Sequence, residues 1–124
     1  MSKNRKIRCY VAGRLSGMAC DYIKNVHRMI ETAEEVRKAG FSIYVPALDF
    51  LMGAVIGDYG YYDYFDNSQP WLEVSDAIFL VPGWETSSGT AKEIAKANKF
   101  EIPVFEDLYK MKVYFELDRA IEPW

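Results

Sequence analysis

The sequence predicts a single α/β domain built on an open, doubly wound, all-parallel sheet. Three observations carry this. Strand-like and helix-like segments alternate in the order β-α-β-(α)-β-α-β along 124 residues, which is one ordinary domain. The run Asp76-Ala77-Ile78-Phe79-Leu80-Val81 is apolar on both faces, as a central parallel strand is. Loops rich in glycine and hydroxyl residues follow strands one and three, where such sheets bind ligands.

The elements follow in chain order. Ile7 to Ala12 reads as a short strand ended by Gly13. Asp21 to Ala39 reads as a helix, because Ile23, Val26, Ile30 and Ala33 recur at three- and four-residue spacing and Gly40 follows as a stop. Phe41 to Val45 is a second strand closed by Pro46. The next segment, with Gly53, Gly57 and Gly60, is longer than a usual connection and is therefore functional or locally helical. Helical spacing resumes loosely from Asp63 to Val74, with Pro70 restricting where that helix can begin. After the strand at Asp76 to Val81, Pro82 and Gly83 open a loop, and a helix runs from about Gly89 to Lys99 with Ala91, Ile94, Ala95 and Asn98 on one side. Ile102 to Phe105 is a fourth strand. The tail from Glu106 is apolar enough to be ordered; Leu108, Met111, Phe115 and Leu117 suit a helix, while Val113 to Phe115 suits a strand equally. The whole, residues 1–124, is a flavodoxin-like (Rossmann-like) arrangement.

Composition narrows the function classes. Half the residues are hydrophobic and 27% are charged, with a formal net charge of −3, which argues against a binder of nucleic-acid polymers. No apolar run approaches the roughly 20 residues a membrane helix needs, and the basic start at Met1 to Arg8 lacks a signal-peptide core, so a cytoplasmic location is expected. Two cysteines and one histidine make neither a disulfide framework nor a zinc site. Cys9 reads as core, His27 as packing or surface, and the Lys3-Arg5-Lys6-Arg8 run as a solvated tail. Every Lys and Arg lies at or before Lys38 or at or after Lys92. The stretch between them is acidic and holds Tyr59, Tyr61, Tyr62, Tyr64, Phe65 and Trp71. That is either an irregular segment with half-buried tyrosines or a wall for a flat, uncharged group such as a nucleobase.

Two loops carry candidate chemistry. Gly13-Arg14-Leu15-Ser16-Gly17 offers close backbone approach at Gly13, a hydroxyl at Ser16 and a guanidinium at Arg14 suited to phosphate. It has neither the G-x-G-x-x-G spacing nor the Gly-Lys-Ser/Thr of a P-loop, and it reads as an anion loop or a simple turn. Ser87-Ser88-Gly89-Thr90 opens a helix, where serines act as caps and free amides form an anion site. Glu93 lies one turn further on, at the flank of the apolar stripe, as a solvated residue or a candidate nucleophile.

Together these pieces resemble the nucleoside 2-deoxyribosyltransferase-like superfamily, which includes deoxyribosyltransferases, nucleoside 5'-monophosphate N-glycosidases and small, often phage-encoded relatives. The resemblance runs from about Arg8 to Phe105. It rests on Tyr10-Val11-Ala12-Gly13, on Trp71-Leu72 with Ser75-Asp76-Ala77-Ile78, on Ser87 to Ile94, and on Ile102-Pro103-Val104-Phe105; the Pro82-Gly83-Trp84-Glu85 loop looks like the phage-type relatives. It implies that Glu93 attacks the anomeric carbon of a sugar, that the base leaves, and that water or a second base resolves a glycosyl-enzyme. A serine six residues before that glutamate, here Ser87, marks the monophosphate hydrolases; the nucleoside transferases carry an acid there.

The sequence departs from the family at one catalytic position. An aspartate is usual eight residues before Asp76, and here that position is Ser68, with Asp66 and Asp63 nearby as substitutes. The resemblance therefore implies hydrolysis of the N-glycosidic bond of a (deoxy)nucleoside 5'-monophosphate. Glu93 is the nucleophile and Asp66 the second acid. Ser87, Gly89, Gly13, Arg14 and Ser16 hold phosphate, and Tyr10, Tyr61, Tyr62 and Trp84 contact base or sugar. No metal or organic cofactor is implied, and a homodimer or larger homo-oligomer is expected. Base exchange between nucleosides and non-catalytic nucleotide binding are the alternatives; Ser87 speaks against the first and Ser68 for the second.

Overall fold

The computed structural model describes residues 5–117. Four strands form one all-parallel sheet in the order β2-β1-β3-β4: β1 (Arg8–Ala12), β2 (Ser42–Tyr44), β3 (Ala77–Leu80) and β4 (Val104–Phe105). Five helices connect or follow them: α1 (Ala19–Lys38), α2 (Asp49–Ile56), α3 (Tyr61–Glu73), α4 (Ser88–Lys99) and α5 (Leu108–Tyr114). This is the flavodoxin-like, doubly wound α/β arrangement in a single domain. Among the described residues, no helix is long and apolar enough to cross a membrane.

The period-2 alternation of β1 assigns its side chains to opposite faces. Cys9 packs with Val36 of α1, Phe79 and Met111 of α5. Tyr10 and Ala12 pack with Leu72 of α3, Ile78, Leu80 and Ala97 of α4. The sheet is thus covered by α1 and α5 on one face and by α3 and α4 on the other. Burial pushes the Cys9 thiol up to about 12, which leaves it inert at neutral pH.

Two helices are rotated from the faces the sequence suggests. In α1 the inward residues are Asn25, Met29, Thr32, Ala33 and Val36, while Ile23 is 65% exposed and Ile30 is exposed too. In α4 the inward residues are Thr90, Ile94 and Ala97, with Glu93 between them, whereas Ala91, Ala95 and Asn98 face outward. In both helices small or polar residues share the inward face with larger apolar ones, Met29 and Val36 in α1 and Ile94 in α4.

The long segment after β2 is locally helical: a short 3-10 turn at Pro46–Leu48 leads into α2 and then α3. Pro70 does not limit the start of α3. It sits in the last turn, where its missing N–H costs only the bond to the Asp66 carbonyl. Asp63 fixes the helix start by accepting the Gly60 N–H at 2.7 Å. The tail is helical, with Met111 fully buried. The N-terminal basic run is not simply solvated. Arg5 donates twice to Asp76, at 2.7 and 3.0 Å, and the Arg8 N–H donates to the same carboxylate at 2.7 Å; Lys3 lies outside the described residues.

Candidate active site

Parallel order places β1 between β2 and β3, so connections leaving β1 and β3 diverge and open a crevice at their carboxyl ends. A cavity of about 390 Å³ lies there. It is lined by Gly13 and Ser16 after β1, by Ser87 to Thr90 with Glu93, and by an aromatic wall of Tyr22, Tyr59, Tyr61, Tyr64 and Phe65. The Tyr61 hydroxyl stands beside the start of α4, 3.6 Å from where a Cβ on Gly89 would lie. Gly13 is required by packing: a Cβ there would lie 2.6 Å from Cβ of Val81.

Glu93 reaches the cavity because α4 turns it toward the β1 face that carries Tyr10. The Tyr10 hydroxyl donates to Glu93 Oε2 at 2.5 Å, and Gln69 Nε2 donates more weakly at 3.4 Å. Burial raises the Glu93 carboxyl to about 7, and the hydrogen bonds from Tyr10 and Gln69 hold it from rising further. Tyr10 is fully buried; desolvation and the Glu93 charge push its own ionisation well above the usual range, so it remains a proton donor. Glu93 is therefore a carboxylate that half-ionises near neutrality at the back of an aromatic-walled pocket. That combination suits a nucleophile or a general base.

The opening of α4 faces the same space. Ser87 is its N-cap, accepting the Thr90 N–H at 3.1 Å and the Thr90 hydroxyl at 2.9 Å. Among the described residues the Ser87 hydroxyl has no side-chain partner other than Thr90. The amides of Ser88 and Gly89 likewise have no backbone acceptor, as the first turn of a helix requires. Two free amides thus lie beside the Ser87 hydroxyl at the positive end of α4, a ready site for an anion.

The structure brings together Tyr10, Gly13, Ser16, Tyr61, Ser87, Gly89 and Glu93 around one cavity. It does not bring the other expected residues there. Arg14 lies at the rim, its guanidinium donating to the Ser16 carbonyl at 3.2 Å and to Thr86 Oγ1 at 3.0 Å. It braces the two loops against each other. Tyr62 is 71% exposed and packs edge-on against Tyr61. Trp84 is turned to a separate cavity beyond β4, where its indole donates to Glu106 at 3.1 Å. Asp66 and Asp63 line a third, outer cavity with Asp49 and Asn67, not the one holding Glu93. His27 is on the surface beside Glu31, at 3.1 Å.

Ser68, which the sequence marks as the departure from the family, belongs to the site, as do two residues that the sequence did not single out, Gln69 and Asp49. Ser68 is buried and lines the cavity, with Gln69 buried beside it. Asp49 is the second carboxylate of the cavity lining. A hint was available for Asp49, since the first acidic residue after a strand that precedes a helix falls at a carboxyl end of the sheet. No signal marked Gln69, which reads as an ordinary polar helix residue. Among the described residues, no three His, Cys, Asp or Glu side chains converge as a metal-ligand set.

No match to this chain is found among curated proteins or among solved structures. A family profile described as a domain of unknown function, DUF4406, matches residues 7–106, from the start of β1 to just past β4 and so over the whole sheet and the cavity. The chain belongs to the DUF4406 family.

Proposed function

We propose that this protein hydrolyses the N-glycosidic bond of a (deoxy)nucleoside 5'-monophosphate, with Glu93 as nucleophile. The observation that carries this reading is the position of Glu93. It is a cavity carboxylate with a raised ionisation point, lining the same space as the N-terminus of α4 and an aromatic wall. A nucleotide has the matching parts in the matching order: an anion, a sugar and a flat base. In the reaction a Glu93 oxygen bonds to C1' as the C1'–N bond breaks, and the electron pair leaves with the base, which takes a proton from water. A second water then attacks C1', releases the Glu93 carboxylate, and gives up its own proton to solvent. Tyr10 orients Glu93 and stabilises its ionised form before the attack on C1' and after the carboxylate is released.

Phosphate recognition falls to the Ser87 hydroxyl and the Ser88 and Gly89 amides, with Gly13 and Ser16 opposite and Arg14 at the rim. The aromatic wall takes the base, and the Tyr61 hydroxyl stands beside Gly89 at the phosphate end. The test is incubation with ribo- and deoxyribonucleoside 5'-monophosphates and chromatography for free base, with Glu93→Gln as control. Base release that disappears in the variant is the expected result. Tight binding without release would favour the sequestering reading, for which Ser68 in the cavity lining is the supporting observation. Adding a second free base distinguishes transfer from hydrolysis.

A homo-oligomer fits one feature of the surface. Helix α2 is apolar almost all round, and Leu51 and Val55 are 69% and 75% exposed, with Leu48, Phe50, Met52 and Ile56 also exposed. At on the order of 100 Å² each, these side chains present about 600 Å², most of the roughly 800 Å² per partner that a standard interface buries. The occupant is a second copy of this chain.

A further inference from the structure

We infer that Asp49 is the residue that reads the base, by accepting a hydrogen bond from an amino group on its edge; this rests on the nucleotide reading above. Asp49 and Glu93 are the two carboxylates that line the cavity, and among its lining residues there is no Lys, Arg or His. The order β2-β1-β3 separates their tasks. The anion site belongs to the end of β3 and Glu93 to the helix that follows it, whereas Asp49 opens α2 beyond the end of β2, on the far side of β1. A ligand with its phosphate at α4 and its sugar at Glu93 therefore extends its base toward Asp49.

The surroundings of Asp49 fix what it can do. The Tyr44 hydroxyl donates to Oδ2 at 3.2 Å, and Asn67 Nδ2 donates to the same oxygen at 3.4 Å. Two donors on one oxygen hold the plane of the carboxylate, while Oδ1 accepts nothing from the described residues. The Tyr44 ring stacks on Tyr10, centroids 5.5 Å apart, and the Tyr10 hydroxyl bonds Glu93. The stacked rings thus carry one carboxylate each on neighbouring hydroxyls, Glu93 on Tyr10 and Asp49 on Tyr44, both in the cavity lining. An anionic acceptor at the base end of an aromatic pocket selects N–H donors and rejects a base edge that offers only lone pairs.

The experiment measures equilibrium binding to the full chain carrying Glu93→Gln, so that ligand is not consumed. Each amino-bearing nucleoside 5'-monophosphate is compared with its des-amino analogue: adenine with purine, cytosine with pyrimidin-2-one. Ribose 5-phosphate is the baseless reference. The preferred amino-bearing nucleotide is expected to bind about tenfold or more tightly than its analogue. Adding Asp49→Asn is expected to remove that gap and leave ribose 5-phosphate binding within about twofold, which also reports that the pocket is intact. Equal binding of amino and des-amino ligands overturns the inference, and this comparison needs no Asp49 variant. A gap that survives Asp49→Asn overturns it too. Loss of ribose 5-phosphate binding in a still-folded Asp49→Asn protein would assign the residue to the sugar instead. Failure of every nucleotide and of ribose 5-phosphate before Asp49 is changed would overturn the nucleotide reading itself.

Discussion

Glu93→Gln should stabilise the protein, and by an amount that depends on pH. Glu93 titrates at about 7 in the folded chain against 4.5 as its ordinary value, because burial disfavours its charge. Below pH 4.5 both folded and unfolded chains hold the proton, and Glu93 imposes no penalty. Between 4.5 and 7 the unfolded chain has released the proton while the folded chain retains it, so stability falls as pH rises. Above 7 the loss is complete and constant. At about 1.4 kcal/mol per pH unit the full penalty is about 3 kcal/mol. Glutamine keeps the shape and the hydrogen bond from Tyr10 but has no proton to lose. The variant should therefore match the parent near pH 5 to within about 1 kcal/mol and exceed it by up to about 3 kcal/mol at pH 8. For a domain of this size that is a rise in Tm of about 10 °C. Thermal unfolding of both proteins at the two pH values is the assay. A difference that is the same at pH 5 and pH 8, or a variant less stable at pH 8, would refute the buried-carboxylate account of the site.

Other expectations follow from the same geometry. Tyr10→Phe removes a charge-assisted hydrogen bond worth about 1.5–3 kcal/mol, so the midpoint at which activity rises with pH should move up by about 1 to 2 units; an unmoved midpoint would separate Tyr10 from Glu93. Ser87→Ala should cost about 1 kcal/mol of stability through the lost cap and, in addition, weaken nucleoside monophosphates far more than the matching nucleosides. Equal weakening of both would mean that Ser87 is a cap alone. Leu51→Asp with Val55→Asp should convert an oligomer to a folded monomer in light scattering; an unchanged mass would place the contact elsewhere.

The sheet was legible because its signals are local. An unbroken apolar run at Asp76 to Val81 and a glycine stop after Ala12 need no tertiary information, and the strand order follows the crossover pattern. Helix rotation was not legible. Ile23 and Ala91 look like core residues by hydrophobicity, yet Thr32 and Thr90 are inside and those two are not, because the packing that selects the face is tertiary. That one-residue rotation also carries Glu93 from the flank of its helix to the cavity. Ser87 and Gly89 were recoverable, since a serine cap and a glycine in the first turn of a helix are spelled out by the sequence. The wall was only partly recoverable. Tyr61 and Tyr62 are adjacent on α3 and differ by 100° in direction, and only Tyr61 turns inward. Trp84 and Asp66 were drawn toward the site by residue type, but their loop and helix aim them at neighbouring cavities. Asp49 escaped notice because the segment around it has no periodicity until α2 is folded against Tyr59 and Tyr64, where a Cβ at Gly53 would meet the Tyr64 hydroxyl at 1.8 Å.

The central claim is that Glu93 forms a covalent bond to the sugar. A 2'-fluoro-substituted nucleoside 5'-monophosphate slows departure from that intermediate by withdrawing charge from C1'. Mass spectrometry of the intact protein after incubation with such a compound, followed by peptide mapping, tests the bond directly. The account predicts a gain equal to one sugar phosphate, located on the peptide containing Glu93, with one equivalent of free base released and neither event in Glu93→Gln. Base release that persists in Glu93→Gln, or an adduct on another residue, would contradict it.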